Sequence, residues 1–215
     1  YDGLIYRDLS HLNQSQRYSE EYKIQQCVAE SLSKKYAKIS LNLHPSIVDI
    51  RAFLWVNYFK DSPKYIPEIR YTSYVEISDF KHLKQLEKIS IYKNSSVARR
   101  QEIRYSRKKN VQTNQVKDLS LFISFYKKTM ERQGIDDSSH ISNNMEGLLY
   151  NLLKDDKCIM IQSTDSKGEV GSMAVFIMDK YRAYYLFGAN EPKMRNEHTG
   201  TAVLWESFYL LAQMG

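Results

Sequence analysis

The tightest constraint in the chain is a change of hydrophobic period within residues 158–215. CIMIQST, EVGSMAVFIM and AYYLFGAN are short apolar runs rich in β-branched and aromatic residues, divided by the turn-forming stretches DSKG and DKYR. Runs of this length joined by such turns predict an antiparallel meander. Between Thr199 and Gln213 almost every residue is apolar except Thr199, Glu206 and Gln213, which stand seven apart and share one helical face. A helix apolar on most sides is a buried one, so its polar stripe is expected to face water or a cleft. Its start, Thr199-Gly200-Thr201-Ala202, is compact enough for a phosphate to approach the free backbone N–H groups.

Upstream, Gln14 to Tyr36 reads as a helix, with Ile24, Val28 and Leu32 at i, i+4 spacing. AKISLNL is expected to be a strand broken by His44-Pro45, and IRYTSYVEI (69–77) alternates as a second strand. Asp79 is expected to cap a helix carrying Leu83, Leu86 and Ile89. In VKDLSLFISFYKKTMERQGI, Asp118 and Gly134 stand at the N-cap and C′ positions of a helix with a buried stripe of Leu119, Phe122, Tyr126 and Met130. A short helix from Met145 to Leu153 precedes the meander. The C-terminal half therefore reads helix, helix, three antiparallel strands, helix.

The stretch SSVARRQEIRYSRKKN is the most charged helix candidate, with Ser95 or Ser96 as N-cap. Arg99, Arg100, Arg104, Arg107, Lys108 and Lys109 face one acid, Glu102, and Arg100, Arg104 and Lys108 align at i, i+4, i+8 as a cationic ridge. Like charges at that spacing cost a helix a few tenths of a kcal/mol per pair, so an anion is the expected partner, held by planar guanidinium contacts. The net charge of +6 agrees: it favours a CoA phosphate, a nucleotide-sugar, tRNA or a membrane surface. Cys27 and Cys158 lie in apolar patterns and are expected to be buried thiols. His11, His44, His82 and His140 are scattered without metal-ligand spacing, so no metal is expected. Neither a membrane span nor a signal peptide is predicted.

The segment Glu197-His198-Thr199-Gly200-Thr201-Ala202 resembles the Q/R-x-x-G-x-G/A pyrophosphate loop of the GNAT N-acyltransferases in its Gly-x-Ala half, with an acid at the first position. Together with ARRQEIRYSRKKNV, LFISFYKKTMERQGI and YYLFGAN…HTGTAVLWESFYLLAQMG, it makes residues 95–215 similar to the Fem-like branch of that superfamily, which includes peptidoglycan-bridge aminoacyltransferases. DIRAFLW and RYTSYVEI are similar to the region joining the two GNAT-like halves of such proteins. The resemblance implies an α/β (α+β) fold, with a mixed, mainly antiparallel sheet flanked by helices. It also implies two tandem GNAT-like halves. Residues 1–94 would be the remainder of the first half and a connecting region, and 95–215 the acyltransferase domain without its last strand, in a chain incomplete at both ends.

The implied activity is transfer of an acyl group from acyl-CoA (acetyl-CoA) to an amino group of a sugar or cell-envelope precursor in the cytoplasm or at the inner membrane surface. The alternatives are aminoacyl-tRNA-dependent transfer onto a peptidoglycan precursor and, in another class, a non-catalytic module binding RNA or a membrane surface. In the implied site Phe187-Gly188-Ala189 aims an N–H at the oxyanion, and Thr199, Gly200, Thr201 and Ala202 cradle the donor pyrophosphate. Glu206 or His198 takes the amine proton. Tyr184 or Tyr185, only one of which strand alternation puts in the cleft, protonates the leaving thiolate. Arg100, Arg104 and Lys108 hold the acceptor.

Overall fold

A computed structural model describes residues 3–82, 84–135 and 138–215, the side chains of 138–143 excepted. The chain separates into two compact units, Tyr1–Tyr74 and Val75–Gly215.

The first unit is built on α1 (Gln14–Lys35) and α2 (Arg51–Leu54). Asn13 starts α1 with a capping box: its side chain accepts from the Gln16 N–H while the Gln16 side chain accepts from the Asn13 N–H. Phe53 is buried and its ring meets Tyr65 edge to face at 5.3 Å. Tyr65 donates its hydroxyl to the Ala29 carbonyl, tying the loop to α1. Cys27 is exposed, not buried as expected, because α1 turns Gln25 and Ala29 inward. None of the described residues of this unit forms a strand, which removes both strands expected before position 75. AKISLNL and IRYTSY have the alternation but form no strand, and Ile69 and Tyr71 stay exposed. DIRAFLW supplies α2. Among the described residues no second sheet accompanies the one described below.

The second unit is an α+β layer structure around a four-stranded antiparallel sheet of order β1-β2-β3-β4. Its strands are β1 (Gln112–Val116), β2 (Cys158–Thr164), β3 (Val170–Met178) and β4 (Ala183–Asn190). The last three are the expected meander. β1 is an addition: its polar sequence QTNQV carries no hydrophobic alternation, but its backbone pairs with β2 from Gln112↔Thr164 to Val116↔Met160. Successive strand residues face opposite ways, and each face has its own helical cover. Met160, Met173, Val175 and Ala189 pack against Phe122 and Ile123 of α5 (Leu119–Arg132) and Met145 and Leu149 of α6 (Ser138–Lys154). Ile159, Ile161, Ala174 and Phe176 pack on the opposite face against Val203 and Leu211 of α7 (Thr199–Met214).

A further layer covers α7. Trp205 and Ala212 pack with Phe80, Ile89 and Tyr92, and with Ile103 of α4 (Val97–Lys108). This packing draws residues 75–94 into the second unit, so the division falls at 74/75 and not at 94/95. The helix expected after Asp79 is instead two 3-10 turns, Ser78–Lys81 and Leu86–Lys88, and Leu83 lies outside the described residues. Asp79 still acts as a cap. It accepts from the N–H of Ser90, the first residue of α3 (Ser90–Asn94), and those Ser90 hydrogen bonds hold its carboxyl below the usual range. Asp118 caps α5 through the Leu121 N–H, and Gly134 (φ +71°) ends it in the left-handed conformation.

Two irregularities bend the sheet where the helices meet it. Register shifts leave Gly171 of β3 without a partner in β2, though its carbonyl accepts from the Glu191 N–H at 2.8 Å, and leave Leu186 of β4 without a partner in β3. A Cβ on Gly171 would lie 2.5 Å from Oγ1 and 2.8 Å from Cβ of the buried Thr199. Gly171→Ala should therefore push β3 away from the start of α7 and destabilise the fold by ~1–3 kcal/mol, the scale of core overpacking. An unchanged urea midpoint would refute that close approach. The thiols make a second check. Burial pushes Cys158 up to about 11, so at neutral pH a thiol reagent should label Cys27 rapidly and Cys158 only on unfolding.

No described helix is long and apolar enough to cross a membrane.

Candidate functional site

The start of α7 is held at one end of the sheet by a buried polar cluster. Ser163 Oγ donates to the Thr199 carbonyl at 2.8 Å, and Ser172 Oγ lies 3.2 Å from Thr199 Oγ1 and 2.6 Å from Asn190 Oδ1. The polar residues that interrupt β2, β3 and β4 at this end thus fix where the helix begins. The chain enters from a 3-10 turn, Pro192–Glu197, through His198 in the left-handed region (φ 59°, ψ 27°). A left-handed residue between right-handed neighbours gathers successive N–H groups into a concavity suited to an anion. No described side chain caps this helix. The first intrahelical bond is Ala202 N–H to the His198 carbonyl, so the N–H groups of Thr199, Gly200 and Thr201 have no partner among the described residues.

Thr199, Gly200 and Thr201 line a cleft of about 420 Å³ together with the ends of β3 and β4, the 3-10 turn and the first turns of α4. Arg99 and Arg195 supply cations. Arg195 makes no ion pair among the described residues, whereas Arg99 Nη1 bonds both Glu102 Oε2 (2.5 Å) and Thr201 Oγ1 (2.9 Å). Thr201 Oγ1 in turn donates to Glu102 Oε2 at 2.7 Å. Glu102 thus brings a carboxylate to the positive end of the α7 dipole, where an anion is stabilised. Glu197, the acid at the first position of the loop pattern, points elsewhere: Lys109 Nζ holds it at 3.0 Å and also donates to the Asn196 carbonyl.

Of the residues expected to form the site, Tyr185, His198, Thr199, Gly200 and Thr201 line this cleft. His198 stacks on Tyr105 with ring centroids 5.7 Å apart. The choice between the two tyrosines is decided by the strand. Tyr184 gives its hydroxyl to Asp179 at the hairpin turn, while Tyr185 packs on Phe176 on the α7 face. A Cβ on Gly188 would fall 1.7 Å from Tyr185 Oη, so the phenol crosses the space a side chain at 188 would fill. Burial raises its pKa above the ordinary phenol value.

Other expected site residues lie elsewhere. Glu206 pairs with Arg107 at 3.2 Å, on the side of α7 that faces α4. Phe187 and Ala189 belong to the core under α5, and Ala202 is buried. Arg100 donates to the Lys93 carbonyl (3.0 Å), and Arg104 and Lys108 are exposed. None of the three lines the cleft, and the cations that do are Arg99 and Arg195. The reason lies in helix geometry. Arg99, Arg107 and Lys109 face α7 and the turn before it, and the i, i+4, i+8 ridge faces away. A Cβ on Gly200 would meet Asn190 Oδ1 at 3.1 Å and so point toward the sheet end.

Among the described residues no three His, Cys, Asp or Glu side chains come together as a metal site; the side chain of His140 lies outside those residues. No protein-family model matches the chain, and no curated protein matches it.

Proposed function

We propose that residues 75–215 form an N-acyltransferase domain of the Fem-like GNAT kind, which takes its acyl group from acyl-CoA and transfers it to an amino group of a sugar or cell-envelope precursor. One observation carries this reading. Thr199, Gly200 and Thr201, whose N–H groups no described side chain caps, line one cleft with Arg99, Arg195 and Tyr185. The donor diphosphate sits on the N–H groups and the two guanidiniums. Its pantetheine arm runs along β4, which lies at the edge of the sheet. There the unpaired Leu186 breaks the regular ladder and re-aims backbone groups.

The acceptor amine, once neutral, attacks the thioester carbonyl, and the C–N bond forms as the carbonyl electrons move to oxygen. An N–H of β4 stabilises that oxyanion. Collapse breaks the C–S bond, and the thiolate takes the Tyr185 hydroxyl proton. The proton lost by the amine goes to His198, which lines the cleft, or to water beside it. Acyl-CoA places the reaction in the cytoplasm.

The aminoacyl-tRNA-dependent reading is favoured by one separate observation, the ridge of Arg104 and Lys108 left exposed on α4. The two readings part on a single experiment. Thermal unfolding is followed with acetyl-CoA, a UDP-amino sugar or aminoacyl-tRNA, since a ligand stabilises by the logarithm of its concentration over Kd. Stabilisation by acetyl-CoA is expected. Stabilisation by aminoacyl-tRNA alone would shift the assignment.

A further inference from the structure

The first unit contains a second pocket that the acyl-transfer reading leaves unused. It has a volume of about 590 Å³ and is lined by Tyr22, Gln26 and Glu30 from one face of α1, and by Ala52, Trp55, Val56, Tyr58 and Phe59 from α2 and the turn after it. Tyr22, Gln26 and Glu30 follow at i, i+4, i+8, so they form one row along the helix. Facing them, Trp55 meets Tyr22 edge to face at 6.1 Å, and Tyr58 meets Phe59 at 4.9 Å. Asn57 holds the left-handed conformation (φ 55°) between these rings and donates its amide to the Pro63 carbonyl, which fixes the turn that presents them.

Four aromatic rings and one carboxylate define the chemistry. Ring faces carry negative quadrupole potential and attract cations, most strongly when the cation is weakly hydrated. Among the described residues Glu30 is the only carboxylate in the lining and no Lys or Arg lines it. Glu30 Oε1 accepts from Gln26 Nε2 at 3.0 Å and forms no ion pair among the described residues. The nearby Lys64 donates to the Tyr58 carbonyl and does not enter the pocket. Trp55 and Tyr58 are each 58% exposed and leave ring surface open to a ligand.

We infer that this pocket binds an alkylammonium group, with Tyr22, Trp55, Tyr58 and Phe59 around its carbon shell and Glu30 balancing its charge. An anion is disfavoured by the rings and the acid alike. A neutral apolar ligand would gain ring contact but nothing from Glu30.

The test uses choline and its neutral isostere 3,3-dimethylbutan-1-ol, which share a shape and differ in charge. NMR titration of the intact chain should give choline a Kd at least about tenfold below that of the alcohol. Glu30→Gln should shrink that gap to within about threefold by weakening choline alone. Trp55→Ala should weaken both ligands. Both side chains lie at the surface, so these variants are expected to keep the wild-type fold, which circular dichroism checks. Equal affinities in the wild type, choline binding untouched by both substitutions, or no choline binding at about 100 mM would each overturn the assignment.

Discussion

Tyr185→Phe is expected to cut the rate of acyl transfer about 10²–10³-fold, the usual worth of a positioned general acid, with the KM for acyl-CoA little changed. The substitution removes one oxygen and keeps the ring on Phe176, so stability should hold. Partial burial raises the phenol pKa although 53% of the residue stays exposed, so its contribution should persist at neutral pH and fail only as alkaline pH ionises it. Gly188→Ala makes an independent companion, because its Cβ would fall 1.7 Å from Tyr185 Oη and the hydroxyl must leave that position. The displaced atom is the far end of a side chain, so the cost to the fold is small and the cost to turnover should approach that of Tyr185→Phe. Undiminished turnover in both variants would mean that the thiolate departs without this acid.

Removing both cations of the cleft should have a comparable effect on donor binding. Hydrogen bonds to charged groups contribute ~1.5–3 kcal/mol each, so Arg99→Ala with Arg195→Ala is expected to raise the Kd for coenzyme A about 10²–10⁴-fold. Glu102 supplies the opposite control. Its carboxylate bonds Arg99 and Thr201 at the helix start and competes there with any incoming phosphate. Glu102→Gln should tighten coenzyme A binding. The pair of results separates specific phosphate contacts from general charge, since both changes can be compared with Arg100→Ala plus Arg104→Ala on the outward ridge, which should leave affinity unchanged.

The meander and its covering helix were legible because strand and helix periods differ so sharply between residues 158 and 215. The cap at Asp118 was legible, and that of α4 to within Ser95 or Ser96, for a local reason, since a side-chain oxygen needs only the N–H three residues on. What failed was whatever depends on a partner distant in sequence. IRYTSY alternates like a strand and forms none, whereas polar QTNQV pairs fully because β2 lies beside it. Periodicity reports a buried face, and β1 at the sheet edge has little of one.

The site divides along the same line. The Gly-x-Ala helix start was visible as a motif. The cations that serve it were not, because Arg100, Arg104 and Lys108 form the regular ridge while the cleft is served by Arg99 from the neighbouring face and by Arg195 from a turn ninety-six positions later. Glu206 looked like a base in a polar stripe, but the stripe's three residues meet different surroundings: Thr199 the sheet, Glu206 Arg107, and Gln213 water. A bulge likewise lies beyond alternation, and it is the unpaired Leu186 that offsets Tyr185 from Phe187 and sends them to opposite faces of the sheet.

The most direct measurement is a calorimetric titration of coenzyme A into the wild-type chain, repeated with dephosphorylated pantetheine and with inorganic pyrophosphate. If the α7 start is the donor anchor, coenzyme A should bind, pyrophosphate should compete with it, and pantetheine should bind at least about tenfold more weakly, a difference of ~1.4 kcal/mol. Coenzyme A and pantetheine binding equally, or pyrophosphate failing to compete, would contradict a phosphate site on Thr199, Gly200 and Thr201 and with it the acyl-transfer reading.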